Sequence, residues 1–512
     1  MPDDPGDFDS TAPSLVTDAA TRATATGTTA LPSNDAPRAT AHRRGGVGAL
    51  RGRHRTAWLV TASVAAFALL GGGAVALGAA TAVPTAVPVA ATATPSPTPT
   101  PTPTPRPVST VEQAASPLRT CSVAGLLNDS RFGKLQAQVL RADGQIMFEY
   151  DPGTASQTAS SLKVLTAAAA LNVLGPDFRA STRVVAGAEP GTVVLVGGGD
   201  LTLSRLPSGE DPVYTGAAHL DDLAAKTRAA WEARFPGTPI TRIVLDSSYF
   251  GGKTWGDTWP PTERGTGWLS HITALQVDAD RANPRVFLSP RGNDPIGRAG
   301  AAFAQYFSGV SVEQGTAPAG AAELASVSSQ PLSTLIPQFL IPSDNSLAEM
   351  VARHVAIQLG AGNTIDALAT AIPQALNVYG INTAGLRIAD GSGMSRNNAV
   401  APSYFTALFL KINAREGTLG IIRDGLPVAG ESGTLNYSNR FFGDNAVARG
   451  HVRAKSGSIS SAYTLTGIID AADGSTLIFA VFATGRVGAN ARTAIDTLTT
   501  AFYRCGGNLA NT

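Results

Sequence analysis

The sequence predicts a mixed α/β (α+β) folded region preceded by a single transmembrane helix. Three observations carry this reading. Residues 57–83 contain no charged side chain and follow a cluster of arginines and histidines. Residues 94–107 form a Thr-Pro tract, whose prolines hold the backbone extended and keep it out of any core. Beyond residue 118, strand signatures stand near both ends of the chain with helical patterning between them.

At 512 residues the chain has room for more than one domain and a large core. A formal net charge of +1 leaves no general basic footprint for nucleic acid. Arginine far outnumbers lysine, and the only lysines are Lys134, Lys163, Lys226, Lys253, Lys411 and Lys455. Cys121 and Cys505 are the only cysteines. In a cytosolic enzyme they would be two unrelated buried thiols; in an exported domain a disulfide between them is expected. His42, His54, His219, His271, His354 and His451 form no His-x-x-x-His or Cys/His cluster, so neither a metal site nor a metal cofactor is expected.

Taken in order, residues 1–55 are poor in large apolar side chains and read as a disordered tail. Arg43, Arg44, Arg51, Arg53 and Arg55 near its end precede the apolar stretch 56–83, with Trp58 as an interfacial anchor. That asymmetry predicts a signal anchor in the cell membrane, with the N-terminus cytoplasmic and the remainder outside. The alternative is a cleaved signal peptide and a secreted product, for which the preceding region is unusually long. Residues 84–117 are a semi-rigid linker. Residues 135–148 read as a β-hairpin around Gly144. From Lys163 onward strong helix formers, including an Ala run, continue until Gly175-Pro176, which puts Ser160 in the first turn of a helix.

Between that helix and about residue 300 the pattern changes to short β-like runs, such as Val193-Val194-Leu195-Val196 and Ile243-Val244-Leu245. Gly197-Gly198-Gly199-Asp200 lacks the Lys-Ser/Thr of a phosphate loop and reads as a tight turn. Trp255, Trp259 and Trp268 are expected to cover a small core rather than line a cleft. Helical patterning returns around 299–307 and again at 332–340.

Three short motifs carry chemistry. Ser160-Ser161-Leu162-Lys163 places a hydroxyl and an amine three residues apart, on one helical face. A serine needs a neighbouring base to become a nucleophile, and a desolvated lysine can be that base. Ser343-Asp344-Asn345 precedes a helical run and alone would be a capping sequence. Lys455-Ser456-Gly457-Ser458 lies on a strand pattern and alone would be a polar edge.

Together and in this order, Ser-x-x-Lys, Ser-Asp-Asn and Lys-Ser/Thr-Gly are the active-serine set of penicillin-binding proteins and serine β-lactamases. Residues 118–502 further resemble the D-alanyl-D-alanine carboxypeptidase/endopeptidase family, the class C low-molecular-mass penicillin-binding proteins. The resemblance extends through Gly197-Gly198-Gly199-Asp200-Leu201-Thr202-Leu203, Asp390-Gly391-Ser392-Gly393-Met394-Ser395-Arg396 and Gly433-Thr434-Leu435. It departs at Thr158 and Leu201, where proline is usual, and at Ser456, where the hydroxyl of a threonine is kept.

The resemblance implies a penicillin-binding/serine β-lactamase-like transpeptidase fold carrying an inserted β-rich domain. Ser160 and Ser343 stand 183 positions apart, which leaves room for one. The expected division is a catalytic domain of residues 118–177 and 301–505, an inserted domain of 178–300, and a C-terminal tail of 506–512. The implied chemistry is a serine-type D-Ala-D-Ala carboxypeptidase, with DD-endopeptidase action on cross-links also open. Its partners would be peptidoglycan stem peptides and β-lactams, and no organic cofactor enters.

By the same resemblance Ser160 would attack the scissile carbonyl and Lys163 would be its base. Lys163 would be kept neutral by burial and by the nearby ammonium of Lys455. The backbone N–H groups of Ser160 and Ser458 would form the oxyanion hole. Ser343 would relay a proton, Asn345 would bind the substrate backbone, and Lys455, Ser456, Gly457 and Ser458 would hold the terminal carboxylate. The rival readings are a serine β-lactamase, which needs a deacylating base, and a non-catalytic protein of the same fold. Glu349, the acid nearest the Ser-Asp-Asn motif in sequence, is expected to support its helix instead.

Overall fold

A computed structural model of the chain describes residues 118–488 and 490–511. The expected cytoplasmic tail, transmembrane helix and linker (1–55, 56–83 and 84–117) lie outside the described residues. Among the described residues no helix is long and apolar enough to cross a membrane.

The half expected to be catalytic is built on an antiparallel sheet of strand order β2-β1-β10-β9-β8. Its strands are β1 (Lys134–Arg141), β2 (Ile146–Tyr150), β8 (Val452–Ile459), β9 (Ala462–Asp470) and β10 (Thr476–Thr484). Strand side chains alternate between faces, and here both faces are covered, so β10 reads as a continuous apolar run. Leu477, Phe479, Val481 and Ala483 pack with Ile495, Leu498 and Phe502 of the C-terminal helix Ala491–Cys505. Ile478, Ala480 and Phe482 face the helical layer, where the Phe482 ring meets Phe405 edge-on.

That layer centres on α1 (Leu162–Val173). Ala167, Ala168, Ala169 and Ala170 are fully buried, and their small side chains let neighbouring helices approach closely. Helices Leu332–Leu340, Asn345–Gln358, Leu368–Leu376 and Pro402–Asn413 share this core.

The second sheet has the order β6-β5-β4-β3-β7. It comprises β3 (Ser181–Ala186), β4 (Thr192–Gly198), β5 (Arg242–Asp246), β6 (Ser311–Gln314) and β7 (Glu323–Ser328). Strands β4, β5 and β6 are parallel, so each connection needs a crossover. Helices α2 (Leu220–Arg234) and α3 (Pro295–Ala304) supply them. The insert is therefore a mixed α/β unit rather than a simply β-rich one. Helix α2 was hidden because its buried stripe is thin: Leu220, Leu223, Ala224, Thr227 and Trp231 amid charged residues.

Two expected boundaries need correction. The insert does not end at 300, since that cut falls inside α3, whose Ala299, Ala302 and Phe303 pack on the second sheet. The chain leaves the catalytic half near Phe178 and returns at Leu332, where Leu332 N–H donates to Phe178 O and Ser333 N–H to Pro176 O. Nor are the residues after 505 a loose tail. Leu509 is fully buried, Ala510 N–H donates to Cys121 O, and Cys121 is disulfide-bonded to Cys505.

This cross-link closes a loop of sequence separation 384. In the chain-entropy account a loop that long stabilises the fold by about 6 kcal/mol, less any strain in the native state. Cys121→Ser/Cys505→Ser is expected to unfold at a clearly lower denaturant concentration and with a steeper dependence on denaturant, because the unfolded chain is no longer held compact by the link. An unchanged midpoint would show that the link constrains nothing.

Candidate active site

The strand β8 and the start of α1 come together through an abrupt turn. Ala159–Ser161 is a short 3₁₀ turn, so Ser160 stands just ahead of α1 rather than within its first turn. Ala159 is buried with φ +42°, a left-handed conformation that costs an L-residue about 1–3 kcal/mol and recurs at functional sites. Side chains clamp the turn: Ser161 Oγ and Thr464 Oγ1 are 2.8 Å apart, and Thr464 Oγ1 donates to Thr158 O at 2.8 Å. Gly457 explains the third motif's glycine. A Cβ there would fall on Thr464 Oγ1 and within 2.8 Å of both Ala159 Cβ and Thr158 O.

Lys163 is completely buried. Its Nζ lies 2.9 Å from Ser160 Oγ, 2.6 Å from Asn345 Oδ1 and 2.7 Å from the Ser392 carbonyl. Two of these partners can only accept. A neutral amine uses its two N–H bonds on them, which leaves its lone pair for the proton of Ser160. Burial pushes the Lys163 pKa down to about 8 against the upward pull of Asp390, Glu349 and Asp344. Burial, rather than the ammonium of Lys455, is thus the main cause of the shift.

The second and third motifs meet across the cleft. Lys455, also fully buried, donates to Ser343 Oγ at 2.9 Å and to the Ser456 carbonyl at 2.8 Å. Its pKa lies well below the ordinary lysine value, first through burial and then through the positive charges of Lys163 and Arg440. Ser343 takes φ +64°, and Asn345 Nδ2 donates to the Trp268 carbonyl at 3.1 Å. Gly457 is buried, Ser456 half-buried and Ser458 exposed.

Several residues that the sequence left aside complete the site. Glu349 accepts from the backbone N–H groups of Gly391, at 3.0 Å, and Ser392, at 2.7 Å. It thus holds the loop whose carbonyl binds Lys163, instead of supporting its own helix. Burial, followed by the charge of Asp390, raises its pKa to about 7. Trp259 does more than cover a core, because its Nε1–H donates to Asp390 at 2.8 Å. The Ser456 hydroxyl is 2.7 Å from Thr434 Oγ1, and Arg492 donates to Ser458 Oγ at 2.8 Å. The motifs Gly391-Ser392-Gly393 and Gly433-Thr434-Leu435 were the signal for the first and third of these contacts; Arg492 had none. Among the described residues no cluster of His, Cys, Asp or Glu could hold a metal ion.

The model of the D-Ala-D-Ala carboxypeptidase 3 (S13) family matches residues 121–308 and 293–502. Carboxypeptidase Rv3627c of Mycobacterium tuberculosis is 35% identical over 408 residues, 78% of this chain and 87% of the relative. Carboxypeptidase DacB of Mycolicibacterium smegmatis is 37% identical over 403 residues, 76% and 84% of the two chains. Among solved structures, penicillin binding protein 4 (dacB) from Haemophilus influenzae superposes with a TM-score of 0.61 at 20% identity. That match covers 72% of this chain and 96% of the other, a likeness of fold.

The packing of Gly457 yields a direct test. Gly457→Ala must push Ala159 and Thr158 aside, which misplaces Ser160; misplacements of about 1 Å cost on the order of 100-fold in rate. A variant that stays folded by circular dichroism but loses activity to that extent fits the clamp. Wild-type activity in Gly457→Ala would show that the turn tolerates the shift.

Proposed function

The chain belongs to the D-Ala-D-Ala carboxypeptidase 3 (S13) family and is a serine-type D-Ala-D-Ala carboxypeptidase; we propose that it works through an acyl-enzyme on Ser160. The carrying observation is the Lys163 amine, 2.9 Å from Ser160 Oγ with both other partners acceptors. Neutral Lys163 takes the proton as Ser160 Oγ bonds to the carbonyl carbon of the penultimate D-Ala. The oxyanion is held by the backbone N–H groups of Ser160 and Ser458, a kind of donor whose loss costs about 10²–10³-fold. The abutment of Gly457 on Ala159 supports this, because it brings β8 alongside the nucleophile.

The leaving amine then needs a proton. Ser343, bonded to Lys455 Nζ, relays it, and the C–N bond breaks to release D-Ala. Asn345 hydrogen-bonds the substrate backbone. Lys455, Ser456, Gly457 and Ser458 line the place of the terminal carboxylate, where charge-assisted hydrogen bonds are the strong ones. Water hydrolyses the ester and restores Ser160. The substrates on this reading are peptidoglycan stem peptides, including cross-linked ones, and penicillin forms a stable ester at the same serine.

We place the enzyme outside the cell membrane, anchored through residues 56–83. The Cys121–Cys505 disulfide supports that side of the membrane, because such links persist in oxidising compartments.

Labelled penicillin is expected to mark wild type on Ser160, as located by peptide mass spectrometry, and to leave Ser160→Ala unmarked. The labelling rate should rise with pH through about 8, as neutral Lys163 becomes the dominant form. Labelling of the mutant at another serine would remove Ser160 from its role, and fast turnover of the drug would point to a β-lactamase.

A further inference from the structure

We infer that Arg281, supplied by the inserted domain, is a positioning residue for the Ser343-Asp344-Asn345 turn. The inference rests on the reading that Ser343 and Asn345 serve the Ser160–Lys163 pair. The Asp344 carboxylate is turned to the insert and to its own helix. Its Oδ1 caps the following helix by accepting from Leu347 N–H at 2.9 Å, while its Oδ2 accepts from Arg281 Nη2 at 2.9 Å and from Tyr214 OH at 3.0 Å. Both ends of the ion pair are at most 1% exposed.

Asp344 lies between the two residues that touch the active lysines. Ser343 on one side meets Lys455 Nζ, and Asn345 on the other meets Lys163 Nζ. Ser343 also holds a left-handed backbone that an L-residue keeps only when its surroundings enforce it. A carboxylate pinned on one oxygen by a helix cap and on the other by a guanidinium is such an enforcement.

The insert is itself strained to aim Arg281. Asp278, Ala279 and Asp280 are consecutive non-glycine residues with φ of 53°, 45° and 58°. They are held by Asp278 N–H to Leu203 O and Ala279 N–H to Leu201 O, so the Gly-Gly-Gly-Asp-Leu-Thr-Leu segment anchors them. Arg281 then donates through Nε to Phe287 O and through Nη1 to Asp278 O, both at 3.1 Å, and its guanidinium lies 4.6 Å from the Tyr214 ring centre. Every arm of the fork is committed. Tyr214, Arg281 and Phe287 all come from the insert, whereas Asp344 belongs to the catalytic half.

The test measures the first-order rate constant for acylation of Ser160 at saturating penicillin, by mass spectrometry of the intact protein. A loss of folded fraction does not move that constant. Arg281→Met is expected to lower it about 10- to 100-fold, together with the melting temperature. Arg281→Met/Asp344→Asn keeps an amide oxygen on Leu347 N–H and removes the unpaired buried charge but leaves the turn without its guanidinium, and is expected to stay slow while regaining part of the melting temperature. Arg281→Lys, which keeps the charge but not the fork, serves if Arg281→Met does not fold, and is expected to be slowed. Wild-type acylation in every folded Arg281 variant would overturn the inference, as would a double variant that acylates at the wild-type rate, because the loss in Arg281→Met would then come from the unpaired buried charge of Asp344 alone. Labelling of Ser160→Ala would instead sink the underlying assignment, an outcome distinct from unchanged rates in the Arg281 variants.

Discussion

A lysine amine out of contact with water is the constraint from which the rest of this site follows. Burying an ammonium without a counter-charge in contact is costly, and the group responds by giving up its proton more easily. Lys163 meets that condition in the first turn of α1, where its side chain is fully buried. Carboxylates lie near enough to pull its pKa upward, but the three atoms that touch it are uncharged oxygens. Had one been a carboxylate, the amine would have stayed charged and been useless as a base.

Keeping three uncharged partners in place demands backbone that would not adopt these conformations by itself. Ala159 and Ser343 both sit in the left-handed region. Each is held from outside. Ala159 is wedged against Gly457 and Gly393, whose missing Cβ atoms make the approach possible, and Ser343 is followed by the buried Asp344–Arg281 pair. The Ser392 carbonyl is fixed through Glu349, which takes up two backbone N–H groups of its loop. The strain at the centre is thus supported by the sheet, by the helical layer and by the insert.

How much of this could be read from the sequence varies with the kind of signal. The three motifs were legible because each chemical role requires a particular residue type at a short spacing, and the β1–β2 hairpin because a turn at Gly144 separates two apolar runs. The far boundary of the insert was not, since periodicity predicts a helix around 299–307, where the structure has Pro295–Ala304, but not which sheet the helix packs on. The role of Glu349 is not legible from its own helix because its partners, Gly391 and Ser392, are 42 and 43 positions away. Arg281 and Arg492 had no local pattern at all. Their roles arise only from long-range packing, as does the burial that sets the Lys163 pKa.

The most direct measurement of the central claim is the ionisation of Lys163 itself. With only six lysines in the chain, selective ¹⁵N labelling gives a side-chain spectrum simple enough to assign by substituting each in turn. The account predicts that the Lys163 amine titrates near 8, below the ordinary value of 10.5. A midpoint at or above 10.5 would mean that Lys163 is charged throughout the working range and cannot be the base that activates Ser160.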